Sequence, residues 1–207
     1  MQEAVVPTVP AVPADGRAAR ALRTREAIVD ACIALVEEGD LRPTAPRIAE
    51  RAGVSVRSVF QHFDDLPSLH IAVTENIAAR MAALVVPVDA ALPLDDRIAR
   101  FVEQRANLLE AMTPFRVAAG VHGPFAPEIR RAIRAGSAAL RAEVEQVFAP
   151  ELARFPEAIR AEVAEALATV SSWASWETLR REWDDDPERA RAVVARLVHA
   201  VLRHPPA

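Results

Sequence analysis

Apolar residues recur every three or four positions along most of the chain, which is the spacing of one face of an α-helix. Leu69, Val73, Ile77 and Met81 show this pattern plainly. No segment shows the sustained two-residue alternation of a β-strand, and only six glycines occur in 207 residues. The pattern therefore predicts an all-α protein of about nine helices, near residues 21–38, 45–52, 56–62, 69–84, 98–112, 114–122, 129–148, 159–173 and 194–201.

The positions of proline and glycine, which break helices, divide the chain into three parts. Residues 1–16 are rich in proline and offer little to pack, so we expect a disordered arm there. We expect two folded units after it, residues 17–66 with short helices and residues 67–207 with longer ones. The apolar stretches fall short of the roughly 18–20 residues of a membrane helix. The first residues lack the basic start of a secretory signal, so we expect a cytoplasmic protein with no membrane partner.

Charge and cysteine content narrow the possibilities a little further. The net charge is −4, which argues against a generally basic nucleic-acid binder, and all 25 basic residues are arginine. The charge is uneven, because residues 1–62 contain eight arginines and eight acidic residues while the rest of the chain contains 17 and 21. The one cysteine, Cys32, lies on the apolar face of the first helix. We interpret it as a small core residue rather than a nucleophile or redox sensor.

Residues 44–63 have the pattern of two short helices joined by a tight turn. Thr44 stands where a helix N-cap is expected. Gly53 stands at the turn, where only glycine adopts a positive φ without a steric energy cost. Ser55 is placed to cap the second helix, and Val59 to pack back against the first. This arrangement is a helix-turn-helix, a motif that presents the outward face of its second helix to the major groove of DNA.

The stretch from Thr24 to Val73 resembles the DNA-binding domain of the TetR family of bacterial transcriptional regulators. The resemblance rests on TREAIVDACIALVEEG in the first helix, on IAERAGVS in the motif, and on the closing SVFQHF. It covers about a quarter of the chain. It implies an N-terminal helix-turn-helix domain followed by a helical domain for ligand binding and dimerisation. The implied function is a sequence-specific regulator, a repressor that a small-molecule inducer releases from its operator.

The resemblance assigns DNA contacts to six positions. Thr44 would contact a phosphate, and His62 would bond the DNA backbone, while Phe60 replaces the family's usual tyrosine and cannot supply its hydroxyl. The residues expected to enter the major groove are Ser55, Arg57 and Ser58. Independently of the family, Arg57 is the only charged residue between Ser55 and His62, and arginine reads guanine with two hydrogen bonds. The basic residues that precede the motif could reach an adjacent groove; they are Arg17, Arg20, Arg23 and Arg25.

The resemblance also implies a regulatory body with two features. The first is a pocket for an unknown small hydrophobic or amphipathic inducer, for which the candidate polar contacts are Asn107, Glu110, Arg116 and His122. The second is a homodimer interface on the last two helices, whose broad apolar surface suggests a partner. The candidates for this interface are Trp173, Trp176, Val194, Leu197, Val198 and Val201. The two tryptophans could alternatively fill the core of a single chain.

The alternative from another class is an all-helical enzyme or small-molecule-binding protein with an incidental helix-turn-helix. Nothing in the sequence supports an enzyme, since no glycine-rich phosphate loop, paired-cysteine motif or nucleophile elbow occurs. The acidic run Asp184–Asp186 could suggest a metal site, but Asp186 followed by Pro187 is better explained as a helix start. His199 and His204 do not share a helix face. We therefore predict no catalytic residue, no metal and no cofactor.

Overall fold

The fold of the chain is helical wherever it is described. The computed structural model describes residues 16–122 and 127–203, except for the side chain of His122. These residues form nine helices and one isolated helical turn, Ala149–Leu152, and no strand. In chain order the helices are α1 Gly16–Glu37, α2 Ala45–Ala52, α3 Val56–His62, α4 Leu66–Ala83, α5 Leu94–His122, α6 Pro127–Val147, α7 Glu157–Val170, α8 Trp173–Glu177 extended by the π-helical turn Thr178–Glu182, and α9 Pro187–Arg203. The prediction of an all-α fold is confirmed.

The first helices follow the predicted boundaries closely. Helix α1 starts at Gly16, about five residues earlier than expected, and ends before Gly39, whose φ is +93°. Helices α2 and α3 have the predicted bounds, because Gly53 with φ +67° ends one and Ser55 caps the other. The proposed disordered arm, apart from Gly16, lies outside the described residues.

The predicted break at Pro114 is wrong, because α5 runs through it as one helix. Proline lacks the N–H that would bond the carbonyl of Glu110, which costs about 3 kcal/mol in a helix interior. Tertiary contacts on both sides of Pro114 hold the helix nevertheless. Thr113 accepts a hydrogen bond from the Trp173 indole at 3.1 Å, and Arg116 stacks on the same indole ring.

A break that the apolar pattern did not predict separates α7 from α8. Ser171 is buried and donates its hydroxyl to the carbonyl oxygen of Leu167 at 2.7 Å, at the end of α7. Ser172 then caps α8 by accepting the N–H of Ser175 at 3.3 Å. The total of nine helices therefore agrees with the prediction only because one merged helix offsets one split helix.

Two hydrophobic cores organise the chain. The smaller core joins α1, α2, α3 and the first half of α4, with Ile28, Ile48 and Leu69 fully buried in it. The larger core joins the turn Ala149–Leu152 and helices α5 to α9, with Phe101 and Phe148 in edge-to-face contact at its centre. Helix α4 begins at Leu66, where the first folded unit was expected to end, and its first half still belongs to the smaller core. Phe115 of α5 also packs against this core.

Candidate DNA-binding surface and regulatory body

Helices α2 and α3 have the geometry of a helix-turn-helix. Gly53 adopts the left-handed conformation, and the N–H groups of Gly53 and Val54 bond the carbonyl oxygens of Glu50 and Ala49 at 3.2 and 2.9 Å. This pattern closes α2 sharply and lets the chain reverse within three residues. Val59 is 1% exposed and belongs to the same core cluster as the buried residues of α2. The predicted packing of α3 back against α2 is confirmed.

The outward face of α3 consists of four neighbouring exposed side chains. Arg57 and Gln61 form one row along the helix, and Val56 and Phe60 form a second row beside it. On the opposite side Val59 is buried against α2. This face therefore combines two groups that can hydrogen-bond base edges with two apolar groups.

The other DNA contacts expected on this motif have mixed positions. Thr44 is exposed at the N-cap position of α2, and its side chain makes no capping hydrogen bond, so its hydroxyl is not used by the helix. The hydroxyl oxygen of Ser55 accepts the N–H of Ser58 at 3.1 Å, so this side chain caps the start of α3. Ser58 and His62 are half-buried at the edge of the outward face. The prediction missed Val56 and Gln61, which a helical wheel drawn from Arg57 and Phe60 would have included.

The two aspartates that follow the motif have different surroundings. Asp65 caps α4, because its carboxylate accepts the N–H of Ser68 at 2.8 Å and its own N–H bonds the Ser68 hydroxyl at 3.3 Å. Asp64 is exposed beside it. Nearby, the guanidinium of Arg25 lies 4.8 Å from the centre of the buried Phe63 ring. Arg25 is therefore held over the small core, while Arg20 and Arg23 are exposed further towards the start of α1.

The candidate inducer contacts do not surround an open cavity. Asn107 is exposed, and Glu110 accepts hydrogen bonds from the Trp176 indole at 3.0 Å and from Arg180 at 2.6 Å. The guanidinium of Arg116 stacks 4.7 Å above the Trp173 ring, and burial lowers the pKa of Arg116. Glu110 and Arg116 therefore tie α5 to α8. The side chain of His122 lies outside the described residues.

The interior beside these contacts is filled by a buried arginine. Arg105 is 2% exposed and bonds Glu143 at 2.7 Å, the carbonyl oxygen of Leu140 at 3.0 Å, and Ser171. Burial lowers the pKa of Arg105, and the Glu143 carboxylate opposes that effect. The crevice between Arg105 and Trp176 is too narrow to admit a water molecule. A larger space of about 420 Å³ is an open groove at the surface between α6 and α7.

The candidate dimer residues divide into two groups. Trp176, Val194 and Val198 are buried within the chain itself, so they are core residues and are not available to a partner. This corrects half of the predicted interface, and it occurs because the inward stripe of α9 packs on α5 and α7. Leu197 is exposed on the flank of that stripe, and the others are half-buried; these remaining candidates are Trp173, Leu197 and Val201.

The features interpreted as structural have structural partners. Asp186 accepts the N–H of Arg189 at 2.8 Å at the start of α9, as expected of a cap. Cys32 is 2% exposed, and burial raises its pKa to about 11. Within residues 16–122 and 127–203 there is no group of three or more His, Cys, Asp or Glu side chains that could hold a metal ion. No described helix is long and apolar enough to span a membrane.

Solved structures resemble this protein in fold. No protein-family sequence model and no curated protein sequence matches the chain. A transcriptional regulator from Rhodococcus sp. Rha1 superposes with a TM-score of 0.66 at 16% identity, over 90% of this chain and 99% of that one. A TetR-family regulator from Streptomyces coelicolor gives a TM-score of 0.67 at 18% identity, over 87% and 79% of the two chains.

A third solved structure has the same fold. A TetR transcription regulator from Haloarcula marismortui superposes with a TM-score of 0.63 at 18% identity, over 86% of this chain and 97% of that one. These superpositions cover 86–90% of this chain. The chain therefore has the TetR-family fold, in agreement with the resemblance seen in its sequence.

Proposed function

We propose that the protein is a sequence-specific DNA-binding transcriptional regulator. The observation that carries this proposal is the outward face of α3, where Arg57 is exposed on a helix that a glycine turn and a buried valine hold firmly against α2. An α-helix in the major groove positions such an arginine to donate two hydrogen bonds to guanine. The free hydroxyl of Thr44, at the start of α2, is placed to bond a phosphate on the flank of the groove.

A homodimer explains how one short recognition helix would give sufficient specificity. The outer face of α7 carries Glu162, and the outer face of α9 carries Arg196 and Arg203, all exposed. A two-fold axis between these helices would bring α7 of each copy against α9 of the other, so that opposite charges face each other. The operator would then be a near-palindrome with half-sites about one or more turns of DNA apart.

Leu197 offers a direct test of this dimer. It is 40% exposed on α9, so a charged residue there leaves the core of the chain intact but opposes burial against a partner. We expect Leu197→Glu to sediment as a monomer at concentrations where the wild type is a dimer, with an unchanged helical circular dichroism spectrum. If Leu197→Glu remains a dimer, the interface lies elsewhere.

The regulatory part of the proposal is a repressor that a small hydrophobic or amphipathic molecule releases. The crevice beside the candidate polar contacts admits no water molecule, so an inducer bound at those contacts would have to open the contact between α5 and α8. That contact is made of Arg116 on Trp173, Trp173 with Thr113, and Trp176 with Glu110. An inducer bound there would exchange these contacts for its own, which shifts the population towards a second arrangement of α5.

The experiment that tests DNA recognition is selection of bound duplexes from a random pool, followed by sequencing. We expect an enriched inverted repeat. With Arg57→Ala, preference should relax at one base pair in each half-site, because a bidentate arginine contributes about 1–3 kcal/mol of discrimination. The matched control is Arg134→Ala, which removes an exposed arginine from α6 in the body. Selection of the same sequence by wild type and Arg57→Ala would exclude Arg57 as the base reader.

Salt dependence separates phosphate contacts from base contacts. Arg20→Ala should lower the slope of log affinity against log salt by about one, with the selected sequence unchanged, if the exposed start of α1 contacts the DNA backbone. Arg134→Ala again serves as the control and should leave the slope unchanged. No enriched sequence at low salt from a folded dimer would reject the proposed function as a whole.

A further inference from the structure

The outward face of α3 carries two exposed apolar side chains that no structural role explains. Val56 is 38% exposed and Phe60 is 47% exposed, and neither belongs to the small core. They lie four residues apart, so they are neighbours on one face of the helix. Immediately beside them is the row of Arg57 and Gln61, whose polar ends suit hydrogen bonding to base edges.

We infer that Val56 and Phe60 recognise thymine methyl groups, an assignment that rests on the proposed function. In the major groove only thymine presents a methyl group, and apolar side chains including phenylalanine make contact with it. Phe60 has no hydroxyl with which to bond a phosphate, so its ring gains most by displacing water from another apolar group. The half-site would then contain guanine opposite Arg57 and thymine methyl groups opposite the apolar row.

The spacing of the two side chains constrains where the thymines lie. Four residues of α-helix rise about 6 Å, and successive base pairs of DNA are about 3.4 Å apart. Val56 and Phe60 therefore reach methyl groups about two base pairs apart when the helix lies along the groove. Because the apolar row is continuous with the row of Arg57 and Gln61, the same docking satisfies both rows.

The test uses the operator obtained by selection and removes one methyl group at a time. Each thymine of a half-site is replaced by deoxyuridine, which keeps its hydrogen-bonding groups and lacks only the methyl. We expect one or two positions at which the substitution weakens wild-type binding about fourfold, and about fifteenfold when both half-sites are changed, since burying one methyl contributes about as much as one CH₂. At other thymines the affinity should stay the same.

Variants identify which side chain contacts which methyl group. Phe60→Ala should weaken binding to the thymine operator and become insensitive to deoxyuridine at one position, and Val56→Ala should do the same at another. Both residues are exposed, so the helical spectrum and thermal midpoint of the variants should match the wild type. Gln61→Ala is the matched control on the polar row and should keep the full response to deoxyuridine.

The possible outcomes are distinct from those of the proposed function. If an operator is selected but no deoxyuridine substitution weakens binding, DNA recognition stands and methyl recognition is refuted. If deoxyuridine weakens Phe60→Ala and Val56→Ala as much as wild type, another side chain reads the methyl group. If a T·A pair is changed to C·G at the assigned position, 5-methylcytosine should restore part of the lost affinity for wild type but not for the matching alanine variant.

Discussion

The buried ion pair between Arg97 and Glu151 allows a quantitative test of how the body is held together. Both side chains are about 5% exposed or less, and the guanidinium approaches the carboxylate to 2.5 Å. Arg97 also donates to the carbonyl oxygen of Val147 at 2.9 Å. The pair therefore joins the start of α5 to the turn that follows α6. We consider the replacement Arg97→Met, which keeps much of the volume and removes the charge.

The part of the cost that comes from the unpaired charge has an upper limit set by protonation. Without Arg97, the carboxylate of Glu151 is buried without a cation, a situation that costs about 3–5 kcal/mol in proteins. A carboxyl group can escape by taking up a proton, and protonating an ordinary glutamate at pH 7 costs about 3.7 kcal/mol. We therefore expect Arg97→Met to lose about 3–5 kcal/mol of unfolding free energy at pH 7. At pH 5 protonation is easier by about 2.7 kcal/mol, so the loss should fall by up to about that amount and leave the pH-independent cost of the lost hydrogen bond to Val147.

The assay is urea unfolding followed by circular dichroism at one fixed protein concentration, because the stability of the proposed dimer would depend on concentration. The double variant Arg97→Met with Glu151→Leu serves as the control, since replacing both partners with apolar residues removes the unpaired charge and should recover most of the stability. An equal loss at pH 5 and pH 7 would refute the reasoning. So would a double variant as unstable as the single one.

Three further predictions concern the small core and its surface. Gly53→Ala should cost about 1–2 kcal/mol in the same unfolding assay, because alanine is strained at φ +67° although its Cβ would meet no neighbour. The control is Gly136, an exposed helical glycine of α6 with equal space for a Cβ, where Gly136→Ala should instead stabilise the protein by about 0.5–1 kcal/mol. Burial raises the pKa of the Cys32 thiol from 9.0 to about 11, so the contribution of the buried neutral thiol to stability is intact below pH 9 and is lost as the pH rises through 11. Between pH 8.5 and 11.5 the wild type should therefore lose about 2.5 kcal/mol more unfolding free energy than Cys32→Ala. Equal losses in the two proteins would contradict this. Arg51 and Glu38 form an exposed ion pair at 2.6 Å, so Arg51→Ala should lower the free energy of unfolding far less than Arg97→Met does in the same assay.

The helix-turn-helix was predictable because its determinants are local. Gly53 at the turn, Ser55 at the cap and the apolar positions of α2 and α3 each restrict the backbone within a few residues. Val56 and Gln61 were omitted although helical periodicity places them beside Arg57 and Phe60. Their exposure is defined only once α3 is packed against α2.

The body was less predictable because distant contacts decide its structure. Pro114 reads as a helix end, but contacts to Trp173 some 60 residues away hold α5 continuous. Ser171 reads as part of one long helix, but its carbonyl oxygen is bonded by Arg105 and the helix ends there. Burial of Val194 and Val198 likewise depends on which stripe of α9 meets α5, and a broad apolar surface does not reveal this.

The packing of α5 supplies a physical route between the body and the proposed DNA-binding surface. Phe115 of α5 packs against the small core that positions α3, and it lies one residue from Arg116 and two from Thr113, both of which hold Trp173. Side chains so close on one helix turn cannot move independently of its backbone. Any molecule that separates Trp173 from α5 therefore disturbs the surroundings of Phe115, and with them the core on which Val59 and α3 rest. The missing hydrogen bond at Pro114 makes this stretch of α5 the easiest part of the helix to bend.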